Sequence, residues 1–278
     1  MSPPASPHVS ALGPALTAEW RGAALARAAH EVFPTAPVED SPLRRIEFHL
    51  HPHPSGGGLL RMDGAPLCTA ASDAHLAPLI EKTASVLAVR LAPEWLVLHA
   101  GLMGRNNRFL LLPAERRSGK STLCLALASQ GWTYAGDDLV FFHPGRRVFH
   151  PFLKAITVKE GSFGLLTSPG PVHEDPARGR LRYATPVHPA PGEIPADQLA
   201  AVLLPLYDPS APAEGEHRPL PPEVAALALV QQLVGGASRG AGSLDWIREL
   251  CALPRHLIRY ASAETSVRLA EACLEARP

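Results

Sequence analysis

One stretch constrains the fold of this 278-residue chain more than any other: Leu110-Leu-Leu-Pro-Ala-Glu-Arg-Arg-Ser-Gly-Lys-Ser-Thr-Leu123. Arg108–Leu112 is a short apolar run suited to a buried strand. Ser121–Gln130 has helical spacing, with Gly131 as its stop signal. A buried strand feeding a helix through a short loop requires an α/β layer. The loop itself follows the phosphate-binding pattern G-x-x-x-x-G-K-[ST], with Ala114 in place of the first glycine. In such a loop, residues Ala114, Glu115, Arg116, Arg117, Ser118, Gly119, Lys120, Ser121 and Thr122 wrap the phosphates of a nucleotide. The donors are backbone N–H groups, and the helix N-terminus favours the negative charge. Lys120 would reach the β/γ-phosphates, and the Ser121 hydroxyl would sit on Mg²⁺. Ala114 fits only at negative φ, because a Cβ penalises the left-handed region. Glu115, Arg116 and Arg117 must also point their long side chains away from the phosphates, or lend the arginine charges to them.

Composition narrows the function classes. Lys+Arg and Asp+Glu number 26 each, so the chain has no basic footprint for nucleic acid. The N-terminus lacks the basic start and apolar core of a signal peptide, and no apolar run approaches the ~18 residues of a spanning helix. A cytoplasmic protein without a membrane partner is expected. Cys68, Cys124, Cys251 and Cys273 show no C-x-x-C spacing, which indicates neither a zinc site nor a disulfide framework.

Along the chain, the thirty prolines cluster near the N-terminus and around 169–195 and 205–222, which read as loops. Residues 1–40 read as a proline-rich tail with one short helix over Thr17–Val32. Residues 41–92 read as a small α+β lobe: a strand over Arg44–His51, a turn at Ser55–Gly58, further strands around Asp63-Gly64, and a helix over Ala74–Leu91. Residues 93–278 read as the core. There Trp95–Met103 and Trp132–Phe142 are apolar strands on either side of the loop and its helix.

Three features then converge. His99 lies in the strand before the loop (Leu96-Val-Leu-His-Ala-Gly101), Gly119-Lys120-Ser121-Thr122 closes the loop, and Asp137-Asp138 follow 17 and 18 residues after Lys120. Together they resemble the C-terminal kinase domain of HPr kinase/phosphorylase, and most closely the HprK-related kinase A group. The sharp motifs span about 70 residues from Trp95 to Phe163, within a looser resemblance over 42–276. The resemblance implies an α/β fold: a P-loop kinase core of the HPr kinase/PEP carboxykinase type, with a mixed sheet and a small N-terminal α+β lobe. It implies ATP and Mg²⁺ as cofactors and transfer of the γ-phosphoryl group to a hydroxyl, a serine of a peptide or small protein. Relatives in peptide-biosynthesis clusters act on a precursor peptide. Carried over residue by residue, Lys120 matches the phosphate lysine, Ser121 and Asp138 the metal side, Asp137 the acid/base, and His99 the histidine supporting that site. Lys159 matches a lysine of the related group and, with the Arg178, Arg180 and Arg182 cluster, is a candidate substrate contact; a solvated loop is the plainer reading of that cluster. The family's bifunctional enzyme is a hexamer; these motifs are compatible with an oligomer and do not specify one.

The chain also departs from the family. Its metal-side glutamate with Arg-Gly is replaced by Val158-Lys-Glu-Gly161, and its late arginine loop has no counterpart in Gly235–Gly240. A kinase rather than a phosphorylase is expected. A small-molecule kinase and a weakened nucleotide-binding or scaffold protein are the alternatives. One geometric problem stands: neighbouring carboxylates on an extended strand point to opposite faces. Asp137 and Asp138 can serve one site only if the chain bends near Gly136.

Overall fold

A computed structural model describes residues 8–33, 44–54, 56–115, 117–167, 170–235 and 241–275. Backbone packing divides the chain into two units, Met1–Ala92 with Leu153–Thr185, and Pro93–Phe152 with Pro186–Pro278. The first contains β1 (His8–Ala11), β2 (Leu16–Arg21), α1 (Ala23–Val32), β3 (Arg44–Pro52), β4 (Gly58–Met62), β5 (Ala65–Ala70) and α2 (Leu76–Arg90). The second opens with β6 (Leu96–Leu98), β7 (Ala100–Arg105), β8 (Arg108–Pro113), α3 (Lys120–Ser129), β9 (Thr133–Gly136), β10 (Val140–His143) and β11 (Val148–His150). The chain returns to the first unit for β12 (Ile156–Lys159), β13 (His173–Asp175) and β14 (Gly179–Ala184). It ends in the second with β15 (Ile194–Pro195), β16 (Leu199–Tyr207), β17 (Glu216–Pro219), α4 (Pro222–Gln231), β18 (Leu233–Val234), α5 (Ala241–Leu250), β19 (Arg255–Tyr260) and α6 (Ala263–Glu275).

The first unit joins β1-β2-β3-β4-β5 in one sheet and β12-β14-β13 in another. Here the sequence reading needs two corrections. Residues 8–33 are not a tail. The run expected as a helix over Thr17–Val32 is strand β2 followed by α1, with Gly22 between them at φ 101°. That backbone breaks the helical run, and β2 gains a parallel partner in β3. Trp20 stacks on Phe48 at 4.3 Å, both fully buried. Tertiary pairing has overridden local helical spacing. The second correction concerns the proline-rich middle, whose segment 173–184 forms a β13–β14 hairpin rather than a loop.

The second unit holds two sheets, β15-β11-β10-β6-β18 and β17-β19-β16-β8-β7-β9. The larger is mixed: β16 runs parallel to β8 and β19, while β7 is antiparallel to both β8 and β9. The protein is thus a mixed α/β protein with several sheets. Leu102, Leu111, Val140, Phe142, Val202 and Trp246 belong to one core in this unit, where Phe142 stacks on Trp246 at 4.6 Å. Each such side chain contributes about 1.5–3 kcal/mol on burial. α3 has Leu123, Cys124, Leu125 and Leu127 all buried, and it lies so close to β7 that a Cβ at Gly101 would meet the Cys124 sulfur at 2.8 Å. The helix that opens at Lys120 is therefore held rigidly against its sheet. Among the described residues, no helix is long and apolar enough to cross a membrane.

Candidate functional site

The second unit's two apolar runs are each broken in the middle. Trp95–Met103 is divided between β6, in one sheet, and β7, in the other, with a bend at His99. Trp132–Phe142 is divided likewise: β9 ends at Gly136, Asp137 and Asp138 form a bend, and β10 begins at Val140. Leu98 pairs with Val140 on one side of the breaks, and Leu102 with Gly136 on the other. Strand pairing lapses between, where both chains pass from sheet to sheet. Gly136 makes the turn possible: its φ is 150°, and a Cβ there would lie 3.1 Å from the Leu139 carbonyl oxygen. The aspartates are therefore in a bend and not on an extended strand, with Asp137 directed to Tyr134 and Asp138 to His99.

The break brings His99 and Asp138 together, Nε2 to Oδ1 at 3.2 Å, each side chain about 30% exposed. The imidazole is held from its other side by Gln232, whose Oε1 lies 3.1 Å from Nδ1 and whose carbonyl accepts the His99 backbone N–H at 2.8 Å. Gln232 caps α4 just before β18 pairs with β6, which is how a residue 133 positions away reaches the site. Asp137 turns inward and is 2% exposed. Its Oδ1 accepts the Tyr134 hydroxyl at 2.9 Å. Burial, with the Asp137 carboxylate next in weight, pushes the Tyr134 phenol well above its usual range, so it remains a neutral donor.

Lys120 connects this break to the loop. It is 6% exposed, and its ammonium donates to the backbone carbonyl of Asp137. Ala114 has no positive φ; that conformation falls instead on Arg117 at 72° and Gly119 at 89°. The replaced first glycine thus imposes no left-handed strain where it stands. Gly119 is required twice over, by its φ and because a Cβ would meet the Tyr260 hydroxyl at 2.6 Å. The Tyr260 O–H donates to the Gly119 carbonyl at 3.3 Å, and the Tyr207 N–H donates to the Ser118 carbonyl at 2.8 Å. Two strands, β16 and β19, thereby pin the end of the loop. Glu115 and Arg117 are exposed; Arg116 lies outside the described residues.

The residues fit a nucleotide phosphate on two observations. Ser118 Oγ is buried without a hydrogen-bond partner, an unspent polar atom inside the loop. α3 begins at Lys120 behind the N-cap Gly119, with no side-chain cap hydrogen bond and no acidic residue in its first turn, leaving its dipole uncompensated by the protein's own side chains. Ser121, next to Lys120, supplies a hydroxyl of the kind that holds Mg²⁺. A cavity of about 490 Å³ lined by Asn107, Arg108, Asp197 and Pro254 sits at the opposite end of β8 from the loop. The site is accordingly defined by its side chains, not by that cavity.

The remaining candidates belong to the first unit. Arg178, expected in a solvated loop, is committed to ion pairs with Glu81 at 2.8 Å and Asp175 at 3.0 Å. Glu81 also pairs with the buried Lys154 at 3.1 Å and accepts hydroxyls from Thr157 at 2.5 Å and Tyr183 at 3.1 Å. Arg180 pairs with Glu160, and Arg182 lies over the Phe163 ring at 4.6 Å. Lys159 ends β12 and is exposed. Residues 236–240 of the stretch compared with the family's arginine loop lie outside the described residues. Tyr134, Tyr207, Gln232 and Tyr260 had no motif to announce them; only the fold brings them to the site.

No family model and no curated protein matches the sequence. Among solved structures, the chain is similar to an HPr(Ser) kinase/phosphatase from Coxiella burnetii at 13% identity and a TM-score of 0.30, covering 65% of this chain and 99% of that one. A likeness of that score is a distant structural resemblance and carries no chemistry, so the site stands on its own residues.

Proposed function

We propose that this chain binds a magnesium–nucleoside triphosphate at Ser118–Thr122 and transfers the γ-phosphoryl group to a hydroxyl, the acceptor being a serine of a peptide or small protein. The observation that carries the reading is the lysine-to-aspartate link: Lys120 reaches the backbone of Asp137 at the break where Asp138 meets His99. Lys120 and the two aspartates thus lie together in one unit, which supports the reading. The bound Mg²⁺ nucleotide supplies an activated phosphoryl group whose charge the cation partly neutralises.

The protein's own residues do the rest. Ser118, the α3 N-terminus and Lys120 hold phosphate oxygens. Ser121 and Asp138 provide the oxygens on the metal side, with His99 and Gln232 fixing the Asp138 carboxylate as hydrogen-bonded partners of metal ligands do. Asp137 takes the proton of the acceptor hydroxyl. Its Oδ1 already accepts one hydroxyl, that of Tyr134 at 2.9 Å, a distance at which a general base takes a proton. The acceptor must share or displace that bond.

The burial of Asp137 also favours a second reading, a nucleotide-binding protein that does not transfer. An acceptor screen separates the readings. Radiolabelled ATP is offered with serine peptides, small proteins and small alcohols, using wild type and Lys120→Met. Label on a peptide or protein serine that is lost in the variant supports the proposal. Label only on small alcohols identifies a small-molecule kinase. ATP binding without transfer to any acceptor supports the second reading.

A further inference from the structure

Away from the loop, on the outer strands of the larger sheet, His217, His256 and Cys273 converge from three elements. His217 is on the edge strand β17, His256 on its neighbour β19, and Cys273 on α6. One ligand atom from each lies within 4.8 Å of the others. The antiparallel register pairs His217 with Ile258, so His256 is its diagonal neighbour across the two strands, two residues along. The rings meet with His217 Nε2 2.9 Å from His256 Nδ1. The other nitrogen of His256, Nε2, is buried with no hydrogen-bond partner. Cys273 is 1% exposed, and burial pushes its thiol up to about 12.

We propose that His217, His256 and Cys273 form a binding site for a divalent transition-metal ion, zinc being the ion that two imidazoles and a thiolate suit best. Three observations carry it. The donor set mixes borderline nitrogen with soft sulfur, which selects against Mg²⁺ and Ca²⁺ and for zinc-like ions. The cluster already brings its atoms near the spacing of a tetrahedral shell, whose bonds of about 2.0–2.3 Å place ligand atoms between three and four ångströms apart. Finally, His256 has a second ring nitrogen, Nε2, that is buried with no hydrogen-bond partner, which native structures rarely tolerate. Binding moves the proton held between the two imidazoles to a ring nitrogen that does not face the ion, and releases the Cys273 thiol proton to solvent, with the cation offsetting the buried thiolate.

The consequence is structural. Among the described residues β17 has no strand partner but β19, and all four of its residues are exposed. An ion held by β17, β19 and α6 ties this edge to the helix that covers it. No spacing motif announces the site, because its ligands come from an edge strand, an inner strand and a helix. The sequence expectation of no zinc site, drawn from the absence of C-x-x-C, does not reach such a cluster.

The test is a competition titration of chelator-stripped, full-length protein with Zn²⁺, using wild type, His217→Ala, Cys273→Ser and, as a control, the exposed His51→Ala. One ion per chain is expected in wild type and control, with binding weakened about tenfold or more in the other two variants. Co²⁺ gives an independent reading: a thiolate-to-cobalt charge-transfer band in wild type and His51→Ala that Cys273→Ser abolishes. His217 is exposed, so its replacement leaves the fold intact if Cys273→Ser does not fold. Absence of stoichiometric binding at micromolar zinc overturns the proposal. So does binding that His217→Ala leaves unchanged, or a charge-transfer band that survives Cys273→Ser.

Discussion

Each unit of this protein has its own cluster of buried charge, and the two are built to opposite ends. In the first unit, Glu81 is surrounded by Lys154, Arg178, Thr157 and Tyr183, every one of them within 3.1 Å. In the second, Lys120, Asp137, Asp138 and His99 are linked but not closed off. Asp138 and His99 remain about a third exposed, Ser118 has a hydroxyl with no partner, and the α3 N-terminus has no side-chain cap. A saturated cluster has no capacity left for a ligand and serves the fold. A cluster with unspent polar groups, at a break between two sheets, keeps capacity for a ligand. That contrast, more than the loop pattern, separates the residues assigned to function from those that are merely charged and buried.

The contrast breaks most visibly at Glu81. Glu81→Gln removes the buried carboxylate that Lys154 and Arg178 share, leaving Arg178 only Asp175, and should cost about 3–5 kcal/mol in a denaturant titration. ATP affinity of the folded protein should be unchanged; a loss of affinity at constant stability would erase the distinction between the clusters. Lys120→Met, which keeps most of the buried stem, should do the reverse. It should lower phosphoryl transfer by about 10²–10³-fold, the scale of removing one donor from a charge-stabilising site, with the thermal midpoint little changed. Tyr134→Phe should be milder: about 1 kcal/mol of stability from the lost hydrogen bond, and a fall in kcat with ATP binding intact. A fall in ATP affinity alone would remove Tyr134 from the acceptor side.

The smallest effect concerns the surface beside the loop. Hydrogen bonds from the Ser210 hydroxyl and backbone, with the Arg259 guanidinium, hold the Asp208 carboxyl down at about 2. A carboxyl depressed in the folded state adds stability above its ordinary value of 3.8 and loses it as pH falls through the folded one. Asp208→Asn should therefore lower stability slightly at neutral pH and shallow the loss between about pH 4 and pH 2, the variant and wild type converging in acid. An unchanged acid limb would show that the pair contributes nothing there.

The loop and its helix were legible because their chemistry is local: Gly119, Lys120 and Ser121 are consecutive, and α3 follows Lys120 at once. The aspartate pair was legible by its spacing from Lys120. What the sequence did not show is why those groups meet. Trp95–Met103 and Trp132–Phe142 each read as one apolar strand, since residues on either side of His99 and of Asp137 are equally buried in two different sheets. Periodicity records burial and is blind to which sheet supplies it. Gln232 and Tyr260 reach the site only through pairing between strands far apart in sequence. Arg178 reads as a solvated cation because its partner Glu81 lies 97 positions earlier, on α2. The strand hidden in Thr17–Val32 was lost for the same reason: its parallel partner β3 begins beyond the helix that follows it.

The proposed magnesium–nucleotide site lies at the corner formed by Ser118–Thr122 and the Asp137–Asp138 bend. Calorimetric titration of the full-length protein with ATP, with and without Mg²⁺, tests it most directly. The account predicts saturable, one-to-one, Mg²⁺-dependent binding that Lys120→Met weakens and Glu81→Gln does not. No binding at millimolar ATP with Mg²⁺ present, or binding that Lys120→Met leaves untouched, would contradict it.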